Sequence, residues 1–194
     1  KKYYKSVRDS DGYREFNYTD LKSKNYNYFI SDKYIKRFDK YDFYIVENSI
    51  GDLNESLNNF IDSNNLDRSK VSVLYFDAAD FDSHHQFYSS LSVKPHIVVY
   101  AAGFLVDNQK ALTDFRGAKQ MMEVNYMGGV SILSIIAMDK SNTNLERIIG
   151  LSSLSGVRGR KSNFVYGSTK AAFTQFLAGL RQELASRKII VNAL

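Results

Sequence analysis

The stretch SNFVYGSTKAAF, Ser162 to Phe173, places Tyr166 four residues before Lys170 among small residues of helical character. Residues four apart on an α-helix share a face, so a phenol and an ammonium at this spacing can enter one cleft. A nearby ammonium favours the phenolate, bringing a group with a free pKa of about 10 within reach of proton transfer nearer neutrality. The same spacing recurs at Tyr18 and Lys22, in a charged segment without an apolar face. Spacing alone therefore leaves two readings open, an acid with its tuning cation or a solvated surface pair, and the surrounding elements must decide.

From residue 70 onward, β-branched apolar runs alternate with longer periodic stretches. KVSVLYF (Lys70 to Phe76), HIVVYAAG (His96 to Gly103), ERIIGLSS (Glu146 to Ser153) and KIIVNAL (Lys188 to Leu194) suit strands buried on both faces. Phe115 to Met138 and Asn163 to Ala185 have the length and period of helices. This alternation predicts an α/β fold, a doubly wound parallel sheet of the Rossmann-like kind. Upstream, Tyr41 to Glu47 reads as another strand and Asn25 to Ile30 as one more, which divides the chain into an unassigned basic segment, 1–24, and one domain, 25–194. Ligands of open parallel sheets sit at the carboxyl ends of the strands. YAAG, SSLSG and the helix carrying Tyr166 and Lys170 should thus converge on one edge.

Composition sets the outer limits. A chain of 194 residues, 44% hydrophobic and 24% charged, can bury one core. Without cysteine there is no disulfide framework and no thiolate metal site. The longest apolar runs, such as Ile132 to Met138, fall short of the roughly 18 residues that cross a bilayer, and no cleavable secretory pattern opens the sequence; the expectation is a cytoplasmic protein without a membrane span. Of the +5 charge, the first 40 residues hold 11 Lys/Arg against 6 Asp/Glu, leaving 15 against 15 in the rest. Such an arm could meet nucleic acid or an anionic membrane, but no glycine-rich or aromatic binding motif accompanies it, so ordinary solvated surface is expected. His84 and His85 beside Asp80 and Asp82 suggest a metal cluster only on paper, because adjacent histidines diverge on a strand or helix; a solvated loop is expected and no metal is assigned. His96, after the sole proline Pro95, reads as structural.

Taken together the motifs resemble the short-chain dehydrogenases/reductases. AAG at Ala101 to Gly103, EVNYMG around Asn125, SS at Ser152 and Ser153, and Tyr166 with Lys170 follow in order, with Ser153 thirteen and Asn125 forty-one residues before Tyr166. The resemblance covers about Tyr41 to Leu194. Within it, SGVRGRKSNFVYGSTKA (Ser155 to Ala171) is similar to reductases acting on a decaprenylphosphoryl 2-keto pentose. The resemblance implies reduction of a keto group, on a small-molecule sugar or a lipid-linked one, by hydride from NAD or NADP. Tyr166 would donate the proton, Ser153 would polarise the carbonyl oxygen, Lys170 would hold the nicotinamide ribose, and Asn125 would keep a water in the proton relay. Tyr166 and Lys170 would also touch the cofactor, as would Ala101, Ala102 and Gly103. Asp77, with Ala78 beside it, would face adenine, although a loop aspartate is otherwise a turn former. Glu47, closing its strand, would accept from the adenosine 2′-hydroxyl and favour NAD over NADP. The family also implies a homo-oligomer through its two long helices, with Ala171, Ala172, Ala178 and Gly179 permitting close approach.

One part of the family pattern is missing. The turn Thr-Gly-x-x-x-Gly-x-Gly should follow the first strand and let backbone amides approach a pyrophosphate. Before residue 100 the only glycines are Gly12 and Gly51, and ten residues, Ser31 to Lys40, separate the first two candidate strands. Family members also continue past VNAL into a Pro-Gly segment and a substrate loop. The chain is therefore expected to be a partial reductase, a non-catalytic interaction module of the same fold, or a site completed by another chain. NADH binding is expected to be no tighter than about 1 mM, equivalent to about 4 kcal/mol.

Overall fold

The computed structural model describes residues 5–9, 12–16, 43–47, 58–59, 61–62 and 67–194. The segments expected at Asn25 to Ile30 and Ser31 to Lys40, and the pair Tyr18 and Lys22, lie outside them. Two units divide the chain, one of residues 1–44 with 55–72, the other of 45–54 with 73–194. In the first, β1 (Lys5–Asp9) and β2 (Gly12–Phe16) pair antiparallel, Lys5 opposite Phe16 and Asp9 opposite Gly12. The basic segment that composition leaves unassigned thus contains a hairpin. Strands β3 (Phe43–Glu47) and β4 (Val71–Tyr75) form a two-stranded sheet.

The second unit carries a parallel sheet of β5 (Ile97–Tyr100), β6 (Arg147–Gly150) and β7 (Ile190–Ala193), in that order. Val98 stands opposite Ile148, and Ile148 opposite Val191. Each strand is shorter than the apolar run that marks it, because the residues that continue the run, such as Ala101 to Gly103, leave the ladder to form the loops at its carboxyl edge. Parallel neighbours need long crossovers. Between β5 and β6 these are α2 (Asn108–Thr113), α3 (Phe115–Met122) and α4 (Gly128–Met138); between β6 and β7 the crossover is α5 (Phe164–Glu183). A shorter helix, α1 (His84–Ser90), precedes β5.

The core lies between this sheet and its helices. Ile148 and Val191 from the strands meet Leu133 and Ala137 of α4 and Phe173 and Leu177 of α5, all nearly or wholly excluded from solvent. Fully burying one such side chain contributes about 1.5–3 kcal/mol. The 24 residues from Phe115 to Met138 are long and apolar enough to cross a membrane, by length and composition alone, which the count of uninterrupted apolar residues does not anticipate. One face of the stretch enters this core, where Met121, Ile132, Leu133, Ile136 and Ala137 are buried, while Phe115, Met122, Met127 and Met138 stay exposed.

This stretch was expected as one helix, and it contains a widened, π-helical turn at Glu123–Met127, in which the Gly128 N–H reaches back five residues to Glu123 O. Two contacts hold the turn. Tyr100 Oη donates to Val124 O at 2.6 Å. At Gly128 a Cβ would lie 2.2 Å from Ala78 O and 2.8 Å from Tyr100 Oη, so only a glycine lets the helix approach the loop after β4.

His84, expected in a solvated loop, is instead fully buried in α1, its ring stacked on Phe76 at 4.8 Å. Nε2 faces Asp77 O at 2.9 Å and Nδ1 faces Ser131 Oγ at 2.9 Å. A carbonyl can only accept, so Nε2 carries a hydrogen and donates to Asp77 O. The histidine joins the end of β4 to α4. Among the described residues no group of three or more His, Asp or Glu could hold a metal ion.

Replacing Gly128 by Ala gives a sign test of this packing. In an ordinary helix the change stabilises by about 1 kcal/mol; here the added methyl collides with a backbone carbonyl and should destabilise by about 1–3 kcal/mol. Urea denaturation reads the difference, and a stabilised Gly128→Ala variant would refute the packing described.

Candidate active site

Asn125 sits at the centre of the widened turn, with no exposed surface. Its Nδ2 donates to Phe104 O at 2.9 Å and to Thr169 Oγ1 at 3.1 Å, while its Oδ1 accepts from Phe104 N at 2.6 Å. Both amide hydrogens are used. Thr169 donates in turn to Tyr166 O at 2.8 Å. One buried amide therefore ties the loop leaving β5 to the helix that bears Tyr166.

Lys170 lies one turn beyond Tyr166 and is 3% exposed. Its Nζ donates to Leu151 O, just past β6, at 2.9 Å, and stands 5.8 Å from the centroid of the Tyr166 ring and 5.9 Å from that of Phe173. No carboxylate among the described residues pairs with it. Burial lowers the Lys170 pKa below its ordinary value, because the charged form loses hydration. Ser152 Oγ and Thr174 Oγ1 lie 3.2 and 2.9 Å from the Lys170 carbonyl and 2.5 Å from each other; with one hydrogen each, one hydroxyl donates to its neighbour and the other to the carbonyl, fixing the helix backbone beneath the ammonium.

Ser153 follows β6 and caps the short turn Leu154–Gly156, its Oγ accepting from Ser155 N at 3.1 Å. The turn is pressed onto α5 from both sides. A Cβ at Gly156 would meet Ala171 N at 2.7 Å, and one at Gly167 would meet Ser155 O at 2.4 Å. Two glycines thus bring Ser153 against the first turns of the Tyr166 helix. The capping bond occupies one lone pair of Ser153 and leaves its O–H free to donate.

Gly103 completes the cluster. The position a Cβ would take there lies 3.9 Å from Ala101 O, from Asn125 Oδ1 and from Lys170 Nζ. Ala101, Ala102 and Gly103 form the loop beyond β5, with Ala101 and Gly103 exposed. The cradle suits a nicotinamide nucleoside: Gly103 is exposed and presents no side chain, and Lys170 has two N–H donors beyond the one given to Leu151.

The residues expected on the adenosine side are less engaged. Asp77 takes the Ala79 N–H at 2.8 Å, the bond of a turn former, and Ala78 is buried with its carbonyl against Gly128. Glu47 is the last residue of β3. Three supporting residues escape the sequence reading. Thr169 looks like any helical threonine, Tyr100 like any strand tyrosine, and Asn108, 3% exposed on α2, like a polar loop residue; only Asp107 before it, which caps α2, carries a helix-start signal.

A model of the short chain dehydrogenase family matches residues 30–194, and the chain belongs to that family. Over 113 residues it is 34% identical to an uncharacterized oxidoreductase of Mycobacterium tuberculosis, a match covering 56% of this chain and 45% of that protein. Over 79 residues it is 38% identical to a probable NADP-dependent dehydrogenase of Haemophilus influenzae, covering 41% and 31%. The chain spans less than half the length of these relatives. Among solved structures, serine dehydrogenase from Escherichia coli superposes with a TM-score of 0.67 at 20% identity, over 82% of this chain and 75% of that one. ElxO with NADP bound gives 0.69 at 19% identity, over 83% and 64%. The fold is the Rossmann-like one of the family.

The lowered Lys170 pKa has a measurable sign. Between its folded value and 10.5 the unfolded chain binds more protons than the folded one, so stability rises with pH across that window and is flat below it. Lys170→Met should remove this rise. Urea unfolding of both proteins as pH approaches 10.5 checks it, and parallel curves would place the ammonium in water.

Proposed function

We propose that the chain is the catalytic part of an NAD(P)-dependent reductase that converts a keto group to an alcohol. The observation that carries this reading is the buried Lys170 ammonium, unpaired with any described carboxylate, beside the Tyr166 ring and the exposed Gly103. A buried cation is costly and needs a reason. A phenol proton donor and the ribose hydroxyls of a cofactor provide one.

A bound nicotinamide would supply the hydride. Tyr166 Oη gives its proton to the carbonyl oxygen, and the free Ser153 O–H donates to the same oxygen as charge develops. Lys170 would hold ribose hydroxyls with its two remaining N–H groups. The Asn125 side chain has no donor left, so a relay water at this turn is met by acceptors alone.

The substrate proposed is a sugar ketone bearing phosphate, free or lipid-linked, as in the decaprenylphosphoryl 2-keto pentose reductases. Between Ser153 and Tyr166, Arg158, Arg160 and Lys161 are all exposed and make no ion pair with described residues. The same loop exposes Leu154 and Val157, which suits an apolar tail. Glu47 argues for NADH; the names of relatives that carry NADP argue for NADPH. A homo-oligomer in the cytoplasm completes the reading, with Gly179 open on α5. A second reading, a non-catalytic module of the same fold, is favoured by the missing glycine-rich turn.

Cofactor oxidation at several millimolar NADH or NADPH, with phosphorylated and neutral keto sugars in parallel, separates the two. The reductase reading expects turnover that Tyr166→Phe lowers by about 10²–10⁴. Absence of turnover with every pair, or full activity in Tyr166→Phe, would favour the module.

A further inference from the structure

The helix that carries Tyr166 and Lys170 starts in an unusual way. Its N-cap is Asn163, a residue type that ordinarily accepts from the N–H two or three positions on. Here Asn163 makes no such bond; its Nδ2 donates instead to Ser155 Oγ at 2.9 Å, across to the turn that begins at Ser153. The N–H of Val165, the second residue of the helix, goes to another element. It donates to Asn108 Oδ1 at 3.1 Å, and Asn108 Nδ2 reaches Lys161 O at 3.4 Å.

We propose that Asn108 is a positioning residue, capping the Tyr166 helix from outside and freeing Asn163 to hold the Ser153 turn. Asn108 is buried at the start of α2, five residues after Gly103 and four after Phe104. Phe104 is the residue clamped by the Asn125 amide. The loop leaving β5 is therefore anchored to the catalytic helix at two heights, by Asn125 through Thr169 and by Asn108 at Val165, the residue before Tyr166. Between them these bonds set the axial position of the tyrosine relative to Gly103 and the Lys170 ammonium. An error of about 1 Å there is enough to reduce turnover by about 100-fold. The effect on turnover rests on the reductase reading; the cap itself does not.

Asn108→Ala removes acceptor and donor, whereas Asn108→Asp keeps an acceptor for Val165 and adds a charge suited to a helix N-terminus. Amide exchange by NMR in the Ala variant should speed up by about tenfold or more at Val165 while Phe173 and Leu177 keep their protection. The kcat should fall with the cofactor KM unchanged. Asn108→Asp should recover both. Unchanged Val165 exchange in Asn108→Ala overturns the proposal, as does a loss of kcat that Asp does not rescue. If Asn108→Ala does not fold, Asn108→Ser, with a shorter acceptor, must give Val165 exchange between wild type and complete loss, or the proposal fails. Absence of turnover in the wild-type chain would sink the reductase reading alone, with Val165 exchange still deciding the cap.

Discussion

The buried amide of Asn125 is the constraint on which the site depends. It pairs with both backbone groups of Phe104 and with Thr169, so three segments distant in sequence meet at one planar group. The directions are forced. Thr169 spends its only hydrogen on Tyr166 O and must accept from Asn125, which leaves Oδ1 for the Phe104 N–H. Removing one partner would strand a buried donor or acceptor at a cost of about 1–3 kcal/mol. The widened turn puts the amide there. A regular α-helix through Glu123–Met127 would rotate the residues after it, and Gly128 would no longer meet Ala78 and Tyr100.

Around this neutral clamp the structure places a cation. Lys170 gives up hydration and receives one carbonyl in return, a poor exchange for stability alone. The neighbouring Tyr100, whose hydroxyl burial pushes well above the usual tyrosine range, is locked as a donor to Val124 and offers no anion. The site consequently keeps a positive centre, unneutralised by any described carboxylate, beside the Tyr166 ring and the exposed Gly103. Stability is supplied elsewhere, by the packing of Phe173 and Leu177 directly below on the same helix.

Much of the architecture was legible in the sequence, and the limits follow from physics. Strands β4 to β7 and helix α5 announce themselves because continuous apolar runs and helical periodicity are local properties. The tyrosine and lysine were legible for the same reason, since four residues on one helix fix their common face. What stayed hidden depends on contacts remote in sequence. A π-turn has no local composition. His84 reads as polar until Phe76, Phe81 and Ser131 surround it. Asn108 and Val165 are 57 residues apart. Arg187, which donates to the Ala137 and Asp139 carbonyls and so closes the end of α4, is a surface-type residue made structural by where β7 begins.

The loop from Ser153 to Asn163 shows how these two kinds of information combine. Its glycines and cations are visible in the sequence, but their consequences differ. Gly156 and the facing Gly167 are there for contact, since any side chain at either would meet backbone within 3 Å. Gly159 has nothing within 4 Å, and the cations on either side of it project into solvent. One end of the loop is therefore held closely against the Tyr166 helix, while at Gly159 nothing packs against it. A segment built this way packs its Ser153 end onto α5 and presents the cations of its tip to solvent.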